Sequence, residues 1–367
     1  MRSTGRGNFC HFIKYLIKYM ELFVIIKIFC LTTLGFLITI LWTPLLTHFL
    51  YKYKLGKRIR DNQSAPVMAA LHEHKAGTPT MGGLLVWVTV LFLALLFYYL
   101  SVFIDWNLLA KINFLTRSQT LLPLGALVAS AIVGLVDDFL NIKGIGPKGG
   151  GMKMRYKLLI YTAIALIGAF WFYFKLDWDL IRIPFIGDFQ IGWWYIPLFV
   201  FIIVATSNAV NITDGLDGLA GGLLASSFAA YGIIAFTEGR YDLATFCGII
   251  VGALLAFLWF NIAPARFFMG DTGAMGLGVT LGIVAMLTNT VFLLPIIALP
   301  FVVETLSVII QMLSKKFFKR KFFISAPLHH HLQAMGWPET KIVMRFWLVS
   351  TVAAFVGVII SLMDKLY

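Results

Sequence analysis

The chain has 367 residues, of which 60% are hydrophobic and only 13% charged, and it carries 33 phenylalanines and a formal net charge of +13. A soluble domain holds about a quarter charged residues and could not bury this much apolar side chain, so the solvent is lipid. The positive charge does not mark a nucleic-acid-binding protein, because Lys and Arg sit in short segments between apolar runs, the juxtamembrane pattern.

Residues 1–20 read as a basic extension with Arg2, Arg6, Lys14 and Lys18, and no small-residue cleavage site follows it. Spanning helices are expected over 22–50, 82–101, 121–140, 158–174, 193–210, 215–236, 244–260, 276–291, 292–313 and 342–362. The eighth and ninth runs touch at 290–295, so their division is the least defined. Cys10, Cys30 and Cys247 lie far apart and form neither a CxxC pair nor a disulfide framework.

Lys and Arg alternate sharply between connections: six in 51–80, five in 143–157, none in 211–214, one in 261–275 and seven in 315–345, against five in the remaining four connections together. The positive-inside rule makes the 19-residue set cytoplasmic and puts both termini outside. Trp106, Trp178, Trp193 and Trp194 near the other connections fit an interfacial aromatic belt. The expected fold is an all-α polytopic membrane protein of about ten transmembrane helices, one domain over 21–367, with its active site on cytoplasmic loops.

Five polar clusters fall on that cytoplasmic set. The first, 72–83, contains Lys75, a mobile cation suited to phosphate oxygens, and Gly77, Pro79, Gly82 and Gly83, which shape the backbone for close approach to a ligand. The second is Asp137-Asp138, adjacent carboxylates at the end of an apolar run that need a cation or proton and so suggest a metal or acid–base role. About 100° separates them on a helix, so one of the pair is expected to face a ligand. The third places Asn208, Asn211, Asp214 and Asp217 at every third position, with Gly215 and Gly218 inviting a break; no Lys or Arg lies within it, so an external cation or a donor-rich ligand is expected.

The fourth, 260–273, offers Asn261, Phe267 and Phe268, which could stack on a base or anchor in lipid, and Asp271 between Gly270 and Gly273. The fifth is His329-His330-His331 in the most basic loop, poorly spaced to chelate one zinc and better suited to phosphate contact or proton relay. Carboxylates facing Lys75, Lys153, Lys157 and histidines suit a magnesium ion bridging a pyrophosphate, held by Asp271 with one or two partners.

In this order the motifs Thr78-Pro-Thr-Met-Gly-Gly83, Asp137-Asp138, 208–217, Met269-Gly-Asp-Thr-Gly273 and Pro327-Leu-His-His-His331 resemble the phospho-N-acetylmuramoyl-pentapeptide transferases over nearly the whole chain from residue 21. The resemblance implies a bacterial cytoplasmic-membrane enzyme that moves phospho-N-acetylmuramoyl-pentapeptide from UDP-MurNAc-pentapeptide to undecaprenyl phosphate, giving lipid I and UMP. Mg2+ is the implied cofactor, and a homodimer is compatible with the reading. Residue by residue it implies Asp271 and Asp214 as metal ligands, Asp137, Asp138, Asp214, Asp271 and His330 as the catalytic set, and Asp137 and Asp138 near the lipid phosphate. Asn211, Asp217, Asn261 and Phe268 would hold the uridine and Lys75 the nucleotide; Thr80, Lys153, Lys157, Asn208, His329 and His331 complete the substrate contacts. Direct attack and a covalent aspartyl intermediate use the same residues and stay open. The competing readings are a transferase of N-acetylglucosamine 1-phosphate and, from another class, a transporter of an anionic solute.

Overall fold

The chain is described by a computed structural model covering residues 4–56, 75, 77–147 and 150–366, with side chains from residue 21 onward. His72, Glu73 and His74 of the first cluster lie outside the described residues.

In hydrocarbon every backbone N–H and C=O must find its partner within the segment, so each apolar run becomes a helix. In chain order these are α1 (Thr4–Lys52), α2 (Leu84–Phe103), α3 (Asn107–Ile112), α4 (Leu121–Lys143), α5 (Met154–Lys175), α6 (Tyr195–Thr213), α7 (Leu219–Thr237), α8 (Tyr241–Asn261), α9 (Gly270–Leu287), α10 (Leu294–Ile297), α11 (Leu299–Phe318), α12 (Leu328–Ala334) and α13 (Glu339–Asp364). A short antiparallel hairpin, β1 (Leu180–Ile183) and β2 (Gly187–Gln190), joins α5 to α6.

Among the described residues nine helices are long and apolar enough to cross a membrane, and α10 with α11, bent by 83°, makes a tenth if the pair is one span. The eighth span begins at Gly270, six residues before the expected start, and the ninth is broken. Pro295 and Pro300 cause the break: each lacks an N–H and stands in a first turn, so the chain starts a new helix at both.

Helix α9 is the centre of the molecule. Every residue of it is buried, and it packs on α4, α6 and α2. The approach is close enough that a Cβ at Gly134 of α4 or at Gly278 of α9 would overlap the facing backbone, at Asp271 and Ser207 respectively. Around this core α1 lies on α8, α7 lies on α8 and α13, and α5 lies on α6.

Alternating helix direction brings the carboxyl ends of α1, α4, α6 and α8 and the amino ends of α2, α5, α7, α9 and α13 to one end of the bundle. Bonds between them fix this, among them Tyr51 Oη to the Arg266 carbonyl at 2.9 Å and the Gly83 amide to the Met269 carbonyl at 2.8 Å. At the other end Lys27 pairs with Asp242 at 3.0 Å and Arg182 with Asp364 at 2.5 Å, so α1 enters and α13 finishes there, as both termini on one side requires.

Helix α11 is turned inside out relative to a helix of a soluble protein. Glu304, Ser307, Gln311 and Ser314 form its buried face, while Leu306, Ile310, Leu313 and Phe317 are exposed. The apolar side meets lipid, and the polar side faces protein.

Candidate active site

The end of the bundle that gathers those helix termini also gathers the polar clusters. Its centre is Lys157 in the first turn of α5, whose Nζ lies 2.5 Å from Asp137 Oδ2 on α4 and 2.5 Å from Asp271 Oδ2 on α9. Asn211 on α6 donates to the other Asp271 oxygen at 3.1 Å, and the Met152 amide donates to Asp137 Oδ1 at 2.5 Å. Two carboxylates thus share one ammonium at the mouth of four helices.

Asp138 takes a different post, as the expected angle between neighbours requires. Its two oxygens accept from the backbone amides of Asp271 and Thr272, both at 3.1 Å. It therefore caps the amino end of α9, where unpaired N–H groups and the helix dipole favour an anion. Thr80 is buried beside Gly270, and its hydroxyl has no protein partner.

A second cluster lies at the break between α6 and α7. Asp214 ends α6, and Gly218, at φ +79°, starts α7. Lys75 Nζ sits 2.7 Å from Asp217 Oδ1 and 2.6 Å from Glu339 Oε1, and the Asp217 amide also donates to Glu339 Oε1 at 2.6 Å. For Asp217 a cation from outside the acidic segment is thus supplied by Lys75, distant in sequence. Asp217 Oδ2 further accepts from the Ala265 amide at 3.0 Å.

Asn261 has a backbone task, its Oδ1 accepting from the Gly218 amide at 2.9 Å and its Nδ2 donating to the Phe267 carbonyl at 2.8 Å. Phe267 is wholly buried against Phe257 and Phe260, which removes it as a base-stacking or lipid-anchoring ring; Phe268 is half-buried. The Phe268 amide donates to the Pro79 carbonyl and the Gly82 amide to the Phe268 carbonyl, each at 2.8 Å, so the first and fourth motifs are stitched together. Asn208, one turn before Asn211, bonds back to the Val204 carbonyl at 2.8 Å, and Lys153 is exposed just before α5.

The three histidines diverge. Buried His329 meets Glu304, with Nδ1 to Oε2 at 3.0 Å; His330 Nδ1 lies 2.9 Å from Gln333 Oε1; His331 Nδ1 accepts from the Ile324 amide at 3.2 Å. They do not converge on one ion. Glu304 and Glu339 are site residues that the motifs did not contain. A carboxylate inside the apolar run 292–313 was the available signal for Glu304, because an acid in hydrocarbon needs a partner; Glu339, at the start of a helix, had only the reading of an ordinary first-turn acid.

The model for Glycosyl transferase family 4 matches residues 120–289, which hold both carboxylates of the Lys157 cluster, and phospho-N-acetylmuramoyl-pentapeptide-transferase signature 1 matches residues 75–85. The phospho-N-acetylmuramoyl-pentapeptide-transferase of Chloroflexus aggregans is 43% identical over 345 residues, 90% of this chain and 89% of that protein. Those of Geobacillus sp. (strain WCH70) and Bacillus subtilis (strain 168) are 38% and 37% identical, each over 89% of this chain and 96% of its own length. The chain belongs to this family. Phospho-N-acetylmuramoyl-pentapeptide transferases are multi-pass membrane phosphoglycosyl transferases that make lipid I in peptidoglycan synthesis, using a polyprenyl phosphate acceptor and a UDP-linked sugar–peptide donor. Membership decides against the readings as an N-acetylglucosamine 1-phosphate transferase or a transporter.

Proposed function

We propose that this chain transfers phospho-N-acetylmuramoyl-pentapeptide from UDP-MurNAc-pentapeptide to undecaprenyl phosphate on the cytoplasmic face of a bacterial membrane. The observation that supports this reading most is the pair Asp137 and Asp271 sharing the Lys157 ammonium at the end of the bundle that carries the Lys- and Arg-rich connections. Phosphoryl transfer needs positioning and charge neutralisation more than covalent chemistry from the protein, and this group supplies both.

The donor set suits magnesium. Among the described residues no three His, Cys, Asp or Glu side chains make a ready cage, but magnesium takes one or two carboxylates and completes its shell with phosphates and water. That Asp137 and Asp271 both lie on the Lys157 ammonium supports a site where positive charge is shared. Asp271 would hold the ion, with Asp214, which caps the end of α6, as its proposed partner; when bound, magnesium would neutralise charge on the donor pyrophosphate.

Of the adjacent acids, Asp137 is the base in this proposal. Asp138 already accepts two backbone N–H bonds, whereas Asp137 faces the shared cation beside Asp271. Lys157 holds the transferring phosphate in line, and Lys75 with Asp217 marks the uridine end, some distance along the same face. Asn211 bonds Asp271 in the Lys157 cluster, Thr80 is buried beside Gly270, and Phe268, Lys153, Asn208, His329, His330 and His331 complete the proposed substrate contacts.

The test offers UDP-MurNAc-pentapeptide and UDP-N-acetylglucosamine side by side, each with undecaprenyl phosphate, and follows UMP. Release from the first alone is expected; equal release from both would overturn the donor assignment. Asp271→Asn is expected to abolish magnesium-dependent UMP release in a protein that stays folded, and near-normal turnover would sink the metal assignment.

A further inference from the structure

Glu304 belongs to no motif, yet it is wholly buried, and a carboxylate removed from water is costly unless its oxygens are bonded. Both oxygens are spent on His329. Oε1 accepts from the His329 amide at 3.2 Å, and Oε2 lies 3.0 Å from Nδ1. Further along the same face of α11, Gln311 Oε1 accepts from the Phe322 and Phe323 amides at 3.0 and 2.9 Å, and Ser314 Oγ donates to the Arg320 carbonyl at 2.9 Å. The buried polar stripe of α11 is therefore a rack for the histidine loop, and Glu304 is its charged member.

An ionised carboxylate only accepts, so in a neutral imidazole the proton resides on Nδ1 and the lone pair on Nε2. His329 Nε2 is buried and has no protein hydrogen-bond partner. It presses against Gly215, so closely that a Cβ there would overlap it. Gly215 follows Asp214 in the turn that also carries Asp217. We infer that Glu304 is a positioning residue of the transfer reaction: it clamps His329 by backbone and ring, fixes the tautomer, and aims Nε2 at the Asp214–Gly215 turn. The inference rests on the transferase reading of this end of the molecule.

The experiment measures kcat and KM for UMP release by the full-length protein and by Glu304→Gln, His329→Gln and the double variant, with Ser307→Ala as the control on the same helix face. Glutamine keeps the size and one acceptor. Loss of an outer partner that orients a functional histidine costs about 10- to 100-fold, and that fall is expected in kcat of Glu304→Gln. KM for the nucleotide donor should stay within about 3-fold. In the His329→Gln background the same change should cost less than about 3-fold, because Glu304 acts through His329. Independent, multiplying losses would overturn the inference, as would a folded Glu304→Gln with unchanged kcat.

Should Glu304→Gln not fold, 15N spectra of histidine-labelled wild-type protein decide: a proton on Nδ1 of His329 is expected, and one on Nε2 alone overturns the clamp. A wild-type protein that releases no UMP would instead overturn the transferase reading.

Discussion

Successive residues on a helix are turned by about 100°, and on α4 that angle separates two jobs that a sequence shows only as an acidic pair. Asp137 meets Lys157, while Asp138 holds the amides that open α9. Asp137→Asn should therefore lower kcat by about 10²- to 10⁴-fold, the range for losing a general base, with little change in the unfolding temperature. Asp138→Ala should lower the unfolding temperature as well, since two hydrogen bonds to a charged group stabilise by roughly 1.5–3 kcal/mol each; thermal scans beside UMP assays would separate the two. The acids and histidines of the five clusters were legible because charged residues stand out against hydrocarbon. Their partners were not. Glu304 and Glu339 are single acids whose meaning depends on which helix lies opposite, and Phe267 looked like its neighbour Phe268 until packing buried it.

Between elements, the Lys75 ammonium joins the segment before α2 to the α6–α7 turn and to the start of α13, across sequence separations of 142 and 264 positions. Removing the cation leaves two nearly buried carboxylates facing each other, which is unfavourable unless one takes a proton. Lys75→Met is expected to lower the unfolding temperature and raise KM for the UDP donor. Adding Glu339→Gln should restore part of the unfolding temperature by removing one of the like charges, and no recovery would show that the two acids are not coupled. The break at Gly215 to Gly218 was readable from glycine spacing, but the cation was not, because nothing local to 208–217 carries one. The bend at 83° between α10 and α11 was likewise hidden in one continuous apolar run, where Pro295 and Pro300 were the signal.

Across the whole molecule the two ends differ in kind, the site end setting single lysines, Lys157 and Lys75, between pairs of carboxylates and the far end closing on a compact ionic group. There burial pushes the carboxyl of Glu238 up to about 7, against the opposing pull of Lys365, Arg240 and Arg182. The folded state then holds a proton that the unfolded chain releases, so stability should fall as pH rises from about 4.5 to about 7 and stay low above it, by on the order of 3 kcal/mol. Glu238→Gln should remove that component from a series of unfolding temperatures over the same pH range; an identical pH slope in the variant would refute the assignment. Helix number and direction were legible because length and charge bias determine them, whereas the arrangement of spans around α9 was not, since close packing depends on facing pairs such as Gly134 and Asp271. Among the nine described spans α9 has the lowest hydropathy, 1.4, and it alone has no residue left for lipid. Such a segment partitions weakly into a bilayer by itself, so during synthesis it is the span that must be received by α2, α4 and α6, already inserted ahead of it. The ribosome's order of delivery thereby becomes part of how the carboxylates of Asp137 and Asp271 come together.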